Sequence, residues 1–284
     1  MTTYFIDGQF TSKDSLNISI DDRGYYFGDG VYEVVKVYDG ELYTAEEHIG
    51  RLFQSASKIK MTIPYSEQQL IDIAKELIKV NDIRTGHIYM QVTRGASPRV
   101  HQFPELAVTP VVTAYAIQNP RPLSNIEGGV SAKTVEDVRW LRCDIKSLNL
   151  LANVLAKQEA YEAGCAEAIF VRDGIVREGS SSNAFGVKDG VVITHPATNL
   201  ILNGITRRVV LKLCAELGIP VEERGFTPDE MNAMDEFFIT STTAEITPIV
   251  LIDEKAVGSG TPGAVTRRLQ EAFARQIPLS VARD

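Results

Sequence analysis

The chain has 284 residues, 44% of them hydrophobic, which suits two domains, each with its own core. A formal net charge of −8, with no long run of like charge, argues against nucleic acid or an anionic membrane as partner. Three cysteines (Cys143, Cys165, Cys214) without paired spacing, and four histidines without a metal-ligand pattern, argue against a disulfide framework or a cysteine zinc site and fit a reducing cytoplasm.

In chain order, residues 4–6 and 31–38 read as strands, with Asp7-Gly8 and Asp39-Gly40 as turn signals. The N-terminus has no basic region leading into an apolar core, so no secretory signal is expected. Thr44 and Glu47 have capping-box spacing ahead of Ile49, Leu52, Phe53, Ala56 and Ile59, which recur at helical period. Ser66 and Gln69 repeat the device ahead of Leu70, Ile73, Ala74 and Leu77. Residues 87–94 alternate as a half-buried strand, and 111–117 form another. The uncharged stretch 106–120 is broken by Pro110 and polar residues, so it predicts a strand with flanks and not a membrane span.

Gln118-Asn119-Pro120-Arg121-Pro122 then interrupts the pattern, because two closely spaced prolines make an extended connector. The predicted organisation is a smaller N-terminal α/β domain over 1–118, a linker over 119–122 and a C-terminal domain over 123–284. The second half opens with a strand over 130–135, followed by a helix over 148–163 that stops at Gly164. Hairpins are expected at Asp173-Gly174 and Asp189-Gly190, and helices near 205–217, 228–233 and 262–276. The fold class is α/β (α+β), two domains with mixed sheets.

Lys146 lies in Cys143-Asp144-Ile145-Lys146-Ser147-Leu148-Asn149-Leu150, beside an apolar run. It has two readings: a helix-start lysine with its head in water, or a partly desolvated amine able to form a Schiff base. The rest of the chain supplies a partner for each other part of one cofactor, pyridoxal 5'-phosphate, which also needs a group facing its ring nitrogen and an anion site. Glu178, in Arg177-Glu178-Gly179-Ser180-Ser181-Ser182-Asn183, is a candidate for the nitrogen; alone it reads as a solvated turn carboxylate. The phosphate has three candidates. Gly204-Ile205-Thr206 opens a helical segment. Thr240-Ser241-Thr242-Thr243 follows a strand-like run, and Arg51 carries a fork of donors.

These segments, with Arg23-Gly24-Tyr25-Tyr26-Phe27-Gly28-Asp29-Gly30-Val31-Tyr32-Glu33, resemble the aminotransferase class IV family of pyridoxal phosphate enzymes. The match runs from about Tyr4 to the last helix. Three stretches (28–37, 93–104 and 138–146) are most similar to its D-amino-acid-specific members. The resemblance implies a cofactor in the cleft between the domains. Lys146 would hold it as a Schiff base and shuttle the α-proton, and Glu178 would face the ring nitrogen. Arg51, Ile205, Thr206, Ser241 and Thr242 would take the phosphate, with Leu202 on the ring face and Ser182 also among the cofactor-binding residues. Tyr32, Arg99 and His101 would trap the substrate carboxylate, the latter two reaching the partner's site in a homodimer.

The implied reaction is D-alanine with 2-oxoglutarate to pyruvate and D-glutamate, a cell-wall precursor. An L-branched-chain aminotransferase or an aminodeoxychorismate lyase would share Lys146 and Glu178; a non-catalytic cofactor carrier would sit better without them. The sequence leaves Glu33 and His48 open between a polar network behind the cofactor, an ordinary satisfied pair and unrelated surface groups, and Trp140 between packing and chemistry.

Overall fold

A computed structural model describes residues 2–104 and 108–278. It divides into two units: the chain up to Arg121 with Ile145–Asn149, and Pro122–Asp144 with Leu150–Ile277. Lys146 therefore belongs to the first unit, although the chain reaches it from the second.

The first unit carries a six-stranded sheet in the order Gln9–Ser12, Thr3–Ile6, Val111–Gln118, Gly86–Thr93, Gly30–Tyr38, Glu41–Tyr43. All its pairings are antiparallel, so mixed pairing is confined to the second sheet. Alternation along Gly30–Tyr38 sends Val31 and Val37 into a core with Ile88, Met90, Val92, Val112 and Ala114. Ile49, Leu52 and Ala56 of helix Ala45–Lys58 and Leu70, Ala74 and Leu77 of helix Glu67–Val80 complete that core. By the same alternation Tyr32, Val34 and Lys36 line the opposite face.

The capping box at Ser66 and Gln69 forms, each side chain meeting the other's backbone amide. The one expected at Thr44 does not. Thr44 is left-handed (φ 52°), which turns its hydroxyl away from the first helical amides, and it donates to the Tyr43 carbonyl instead. Residues 106–107, part of the expected flank before Val111–Gln118, lie outside the described residues.

The second unit carries a nine-stranded sheet ordered Val221–Glu223, Val191–Thr194, Asn183–Lys188, Glu236–Ser241, Glu245–Ile252, Val130–Glu136, Glu167–Arg172, Ile175–Gly179, with Lys255–Ala256 on Glu245–Ile252. Val130–Glu136 runs parallel to both its neighbours, and Val221–Glu223 parallel to Val191–Thr194. Both expected hairpins form, with positive φ at Asp173 (52°) and Gly174 (71°) and at Asp189 (49°) and Gly190 (78°), as tight two-residue turns require.

Helices span Leu151–Glu162, Ile205–Glu216, Pro228–Asn232 and Ala264–Gln276. The first starts later than its apolar pattern suggests because residues 147–148 belong to the first unit, where Ser147 bridges Val31 and Leu148 N donates to Gly30 O at 3.1 Å. A short helix, Leu123–Gly128, follows the proline connector and has no counterpart in the sequence pattern. Among the described residues no helix is long and apolar enough to cross a membrane, and no group of three or more His, Cys, Asp or Glu could hold a metal.

Candidate active site

Lys146 is fixed through its backbone on two sides. Its N–H donates to Ser55 Oγ (3.2 Å) on helix Ala45–Lys58, and its carbonyl accepts from Tyr32 N (3.0 Å). Close approach here depends on Gly30, where a Cβ would stand 2.5 Å from Val92 O and 2.7 Å from Leu148 Cδ1. The side chain is half-buried, with Nζ 4.2 Å from the centroid of the Tyr32 ring, a cation–π distance. Tyr32 stacks on Tyr89 (5.7 Å, 23°) and Tyr89 on Tyr115 (5.1 Å, 27°), a row of rings running across three strands. Burial and the neighbouring phenols hold the Tyr89 hydroxyl protonated well above its ordinary range, and it donates to Gln91 Oε1 at 2.9 Å. Lys36 is buried, with Nζ 5.4 Å from the Tyr38 ring centroid.

Glu33 points to the other face of the strand and is fully buried. Arg51 grips it with Nε (2.6 Å) and Nη2 (3.0 Å), and His48 Nδ1 lies 2.8 Å from Oε2. Residues 48 and 51 sit three apart on helix Ala45–Lys58, which brings both side chains over one carboxylate. Burial would raise that carboxyl, but Arg51 and then His48 outweigh it and hold Glu33 well below the carboxylate range. Burial also drives the His48 pKa down, against the pull of Glu33. Since a carboxylate only accepts, the neutral imidazole carries its proton on Nδ1. Glu33, His48 and Arg51 thus form one network, a question the sequence left open; two of Arg51's donors are committed to it.

Glu178, on strand Ile175–Gly179, is the second buried carboxyl. Arg139 Nη1 donates to Oε1 at 2.6 Å, while Asn183 Nδ2 and Leu202 N each donate to Oε2 at 3.0 Å. Burial pushes the Glu178 carboxyl up to about 7, against the opposing pull of Arg139. Arg139 is in turn held by Asp137 (2.9 and 3.0 Å) and lies 4.2 Å over the Phe170 ring. Sequence reasoning missed Arg139, Asp137 and Asn183 as partners of this carboxyl. The Asp137-x-Arg139 spacing just ahead of the lysine was a signal that two charges share one turn.

Leu202 contributes through its backbone, its carbonyl also accepting from Asn183 Nδ2 at 2.8 Å. Gly204 caps helix Ile205–Glu216 without a side-chain bond, and a Cβ on it would collide with Asn183 Oδ1. The amides of Ile205 and Thr206 therefore open the helix at its positive end. Ser241 Oγ accepts from Ala244 N (3.0 Å) in the turn that also holds Thr242. Thr240, paired in register with Asn183, is buried, and its Oγ1 meets no hydrogen-bond partner among the described residues. The Ser182 hydroxyl donates to Glu167 Oε2 at 2.8 Å; Ser180 also bonds this buried glutamate, which shapes the serine turn.

Arg99 and His101 are exposed on the first unit and pack on one ring. Arg99 Cζ lies 5.2 Å from the Phe27 centroid, and the His101 ring stands 5.6 Å from it at 62°. Trp140 is exposed, its carbonyl accepting from Cys143 Sγ at 3.3 Å.

The first unit thus joins Lys146 to Tyr32, and the second joins Glu178 to Arg139, Asn183, Leu202 and the Gly204 helix start. Residues 30–252 match the family described as amino-transferase class IV. The chain is 50% identical over 277 residues to a D-alanine aminotransferase of Staphylococcus haemolyticus, covering 98% of each chain. It is 51% identical over 271 residues to one of Bacillus licheniformis, covering 95% of each. Among solved structures, the Escherichia coli branched-chain amino acid aminotransferase superposes with a TM-score of 0.90 at 28% identity, over 96% of this chain and 93% of that one. The branched-chain amino acid aminotransferase of Thermoproteus uzoniensis, solved with norvaline, gives 0.85 at 29% identity, over 96% and 94%. The chain belongs to the aminotransferase class IV family. It is an aminotransferase.

Proposed function

We propose that this aminotransferase uses pyridoxal 5'-phosphate to transfer the amino group of D-alanine to 2-oxoglutarate, giving pyruvate and D-glutamate, a cell-wall precursor. The observation that carries the reading is the 50% identity, along 98% of both chains, to a D-alanine aminotransferase.

The residues present fit the cofactor. A half-buried amine at Lys146, a buried carboxyl raised to about 7 at Glu178 and a glycine-capped helix start at Gly204 match its aldehyde, ring nitrogen and phosphate in kind. Bound cofactor supplies an electron sink for the substrate α-carbon. Lys146 would hold its aldehyde carbon, and its amine would be the group that moves the substrate α-proton. Glu178, near neutrality, would share a proton with the ring nitrogen; Arg139 and Asn183 keep its two oxygens in place. Arg51, the Ile205 and Thr206 amides, Ser241 and Thr242 would hold the phosphate, with Leu202 against the ring and Ser182 supporting the turn beside it.

Stereochemistry motivates the substrate class. One lysine reaches the α-hydrogen from one face, so a D-amino acid must exchange carboxylate and side chain relative to an L-amino acid. A carboxylate trap is then needed where L-specific enzymes keep a side-chain pocket. Arg99, His101 and the Tyr32 hydroxyl are suited to it, since arginine grips carboxylate in a fork. The exposure of Arg99 and His101 agrees with their serving the site of a partner subunit in a cytoplasmic homodimer.

The test uses two variants. Lys146→Ala should abolish keto-acid production from D-alanine; normal turnover would overturn the reading. Arg99→Ala should keep bound cofactor but lose about 30-fold or more in kcat/KM, the equivalent of about 2 kcal/mol or more for a broken charge pair. An unchanged kcat/KM would remove Arg99 from the trap. Pyruvate released with no keto-acid acceptor present would indicate a lyase instead.

A further inference from the structure

We propose that Arg23 is a positioning residue for substrate recognition: it clamps the backbone of the loop carrying Arg99 and His101, so that these side chains are presented in one geometry. The proposal rests on the reading that Arg99 and His101 bind the substrate carboxylate.

Arg23 opens the short helix Arg23–Phe27 and is 2% exposed. Its guanidinium faces three consecutive carbonyls of the loop: Nη1 donates to Val100 O (2.7 Å) and Gln102 O (3.4 Å), and Nη2 to His101 O (3.3 Å). The chain must curl around the cation for three successive carbonyls to converge on it. Nε binds Asp29 Oδ2 at 2.8 Å.

That carboxylate is shared. Arg94 meets it with Nε (2.8 Å) and Nη2 (2.9 Å), and Arg94 Cζ lies 3.9 Å from the Phe103 ring at the loop's far side. Arg94 is anchored further by the carbonyls of Ile59 (2.8 Å) and Lys60 (3.2 Å). Burial would raise the Asp29 carboxyl, but Arg94 and Arg23 outweigh it and hold it ionised below its ordinary range. Two arginines on one carboxylate leave a net positive charge, which the loop carbonyls absorb.

The loop's start is tied to the same platform. Arg23 N donates to Gly95 O (3.0 Å) and Ser97 N to Asp21 O (3.1 Å), with Asp22 bridged to Ala96. Phe27 completes it: Arg23 Cζ is 4.9 Å and Arg99 Cζ 5.2 Å from its ring, and the His101 ring 5.6 Å. A desolvated guanidinium spends most of its donors on a loop whose residues 98–103 are exposed. Such an arrangement costs burial of a cation and gains the fixed aim of two side chains. No short-range pattern exposes it, because Arg23 and Val100 are 77 residues apart.

The test is a KM-against-kcat comparison on the cofactor-loaded enzyme with D-alanine, in wild type and in Arg99→Ala. Arg23→Met should raise KM by about 10- to 100-fold, the cost of misplacing a binding group by about 1 Å, with kcat and the cofactor absorbance little changed. Arg23→Lys, which keeps the charge but cannot span three carbonyls, should fall between. In the Arg99→Ala background the KM effect of Arg23→Met should shrink to less than about 3-fold, because the two residues act on the same contact.

An equal KM effect in both backgrounds would overturn the proposal, as would a fall in kcat without a rise in KM. If Arg99→Ala raises KM and Arg23→Met does not, the clamp fails while the carboxylate trap stands. If Arg99→Ala itself changes nothing, the trap fails and the clamp with it. Arg23→Lys, which keeps a buried cation beside Asp29, gives the same cycle should Arg23→Met not fold.

Discussion

Two buried glutamates sit in opposite electrostatic states, and the difference lies in their partners. Glu33 has Arg51 on both oxygens and His48 beside it, so ionisation wins. Glu178 has one arginine, which it shares with Asp137, and burial wins. Arg139→Met should leave Glu178 without a cation and drive its carboxyl higher still. The expected result is a stability loss of about 3–5 kcal/mol and a changed absorbance of bound cofactor. Wild-type unfolding temperature and spectrum in that variant would contradict Arg139's part in setting Glu178. Lys146 and Glu178 stood out in the sequence through a family resemblance, since neither segment carries its proposed role alone. Arg139 was not legible as a partner: it meets Glu178 across 39 residues.

Helix Ala45–Lys58 aims both His48 and Arg51 at the sheet, and this gives the fold a pH dependence that can be isolated. His48 titrates below its ordinary value of 6.5 in the fold, so below pH 6.5 the unfolded chain takes up a proton that the native state refuses. Its contribution to stability therefore falls as pH drops below 6.5. Glu33 contributes stability above its ordinary value of 4.5, lost only as pH falls through its depressed native value. Glu178 works the other way, its contribution falling as pH rises from 4.5 to about 7. The stability gap between wild type and His48→Asn should accordingly narrow as pH falls from about 6.5 to about 5, by at most about 1.4 kcal/mol per pH unit. A gap that stays constant in urea titrations across that range would contradict a neutral, buried His48. Elements themselves were read well where local chemistry decides them. Ser66-x-x-Gln69 gave its capping box, whereas Thr44-x-x-Glu47 did not, because Thr44 takes a left-handed backbone that the motif's residue types do not announce, and its hydroxyl goes to the Tyr43 carbonyl.

At the scale of the molecule, the two units part at Arg121 and Pro122, and Ile145–Asn149 groups with the first, a return that no sequence pattern announces. That excursion is made by pairing with Val31 and Gly30, a contact between segments more than a hundred residues apart, and it puts Lys146 beside Tyr32. The strand order of the first sheet was likewise hidden, since it pairs Thr3–Ile6 with Val111–Gln118, segments far apart in the chain. Substrate handedness is a property of the whole molecule too. The solved structures reported above are branched-chain enzymes at 28% and 29% identity, so the shared fold does not choose between D and L substrates. The direct measurement is keto-acid formation by the cofactor-loaded protein with 2-oxoglutarate, given D-alanine in one reaction and L-leucine in another. Turnover of D-alanine with little or none of L-leucine is the expected result. Turnover of L-leucine alone would retain the aminotransferase and contradict the carboxylate trap built on Tyr32, Arg99 and His101.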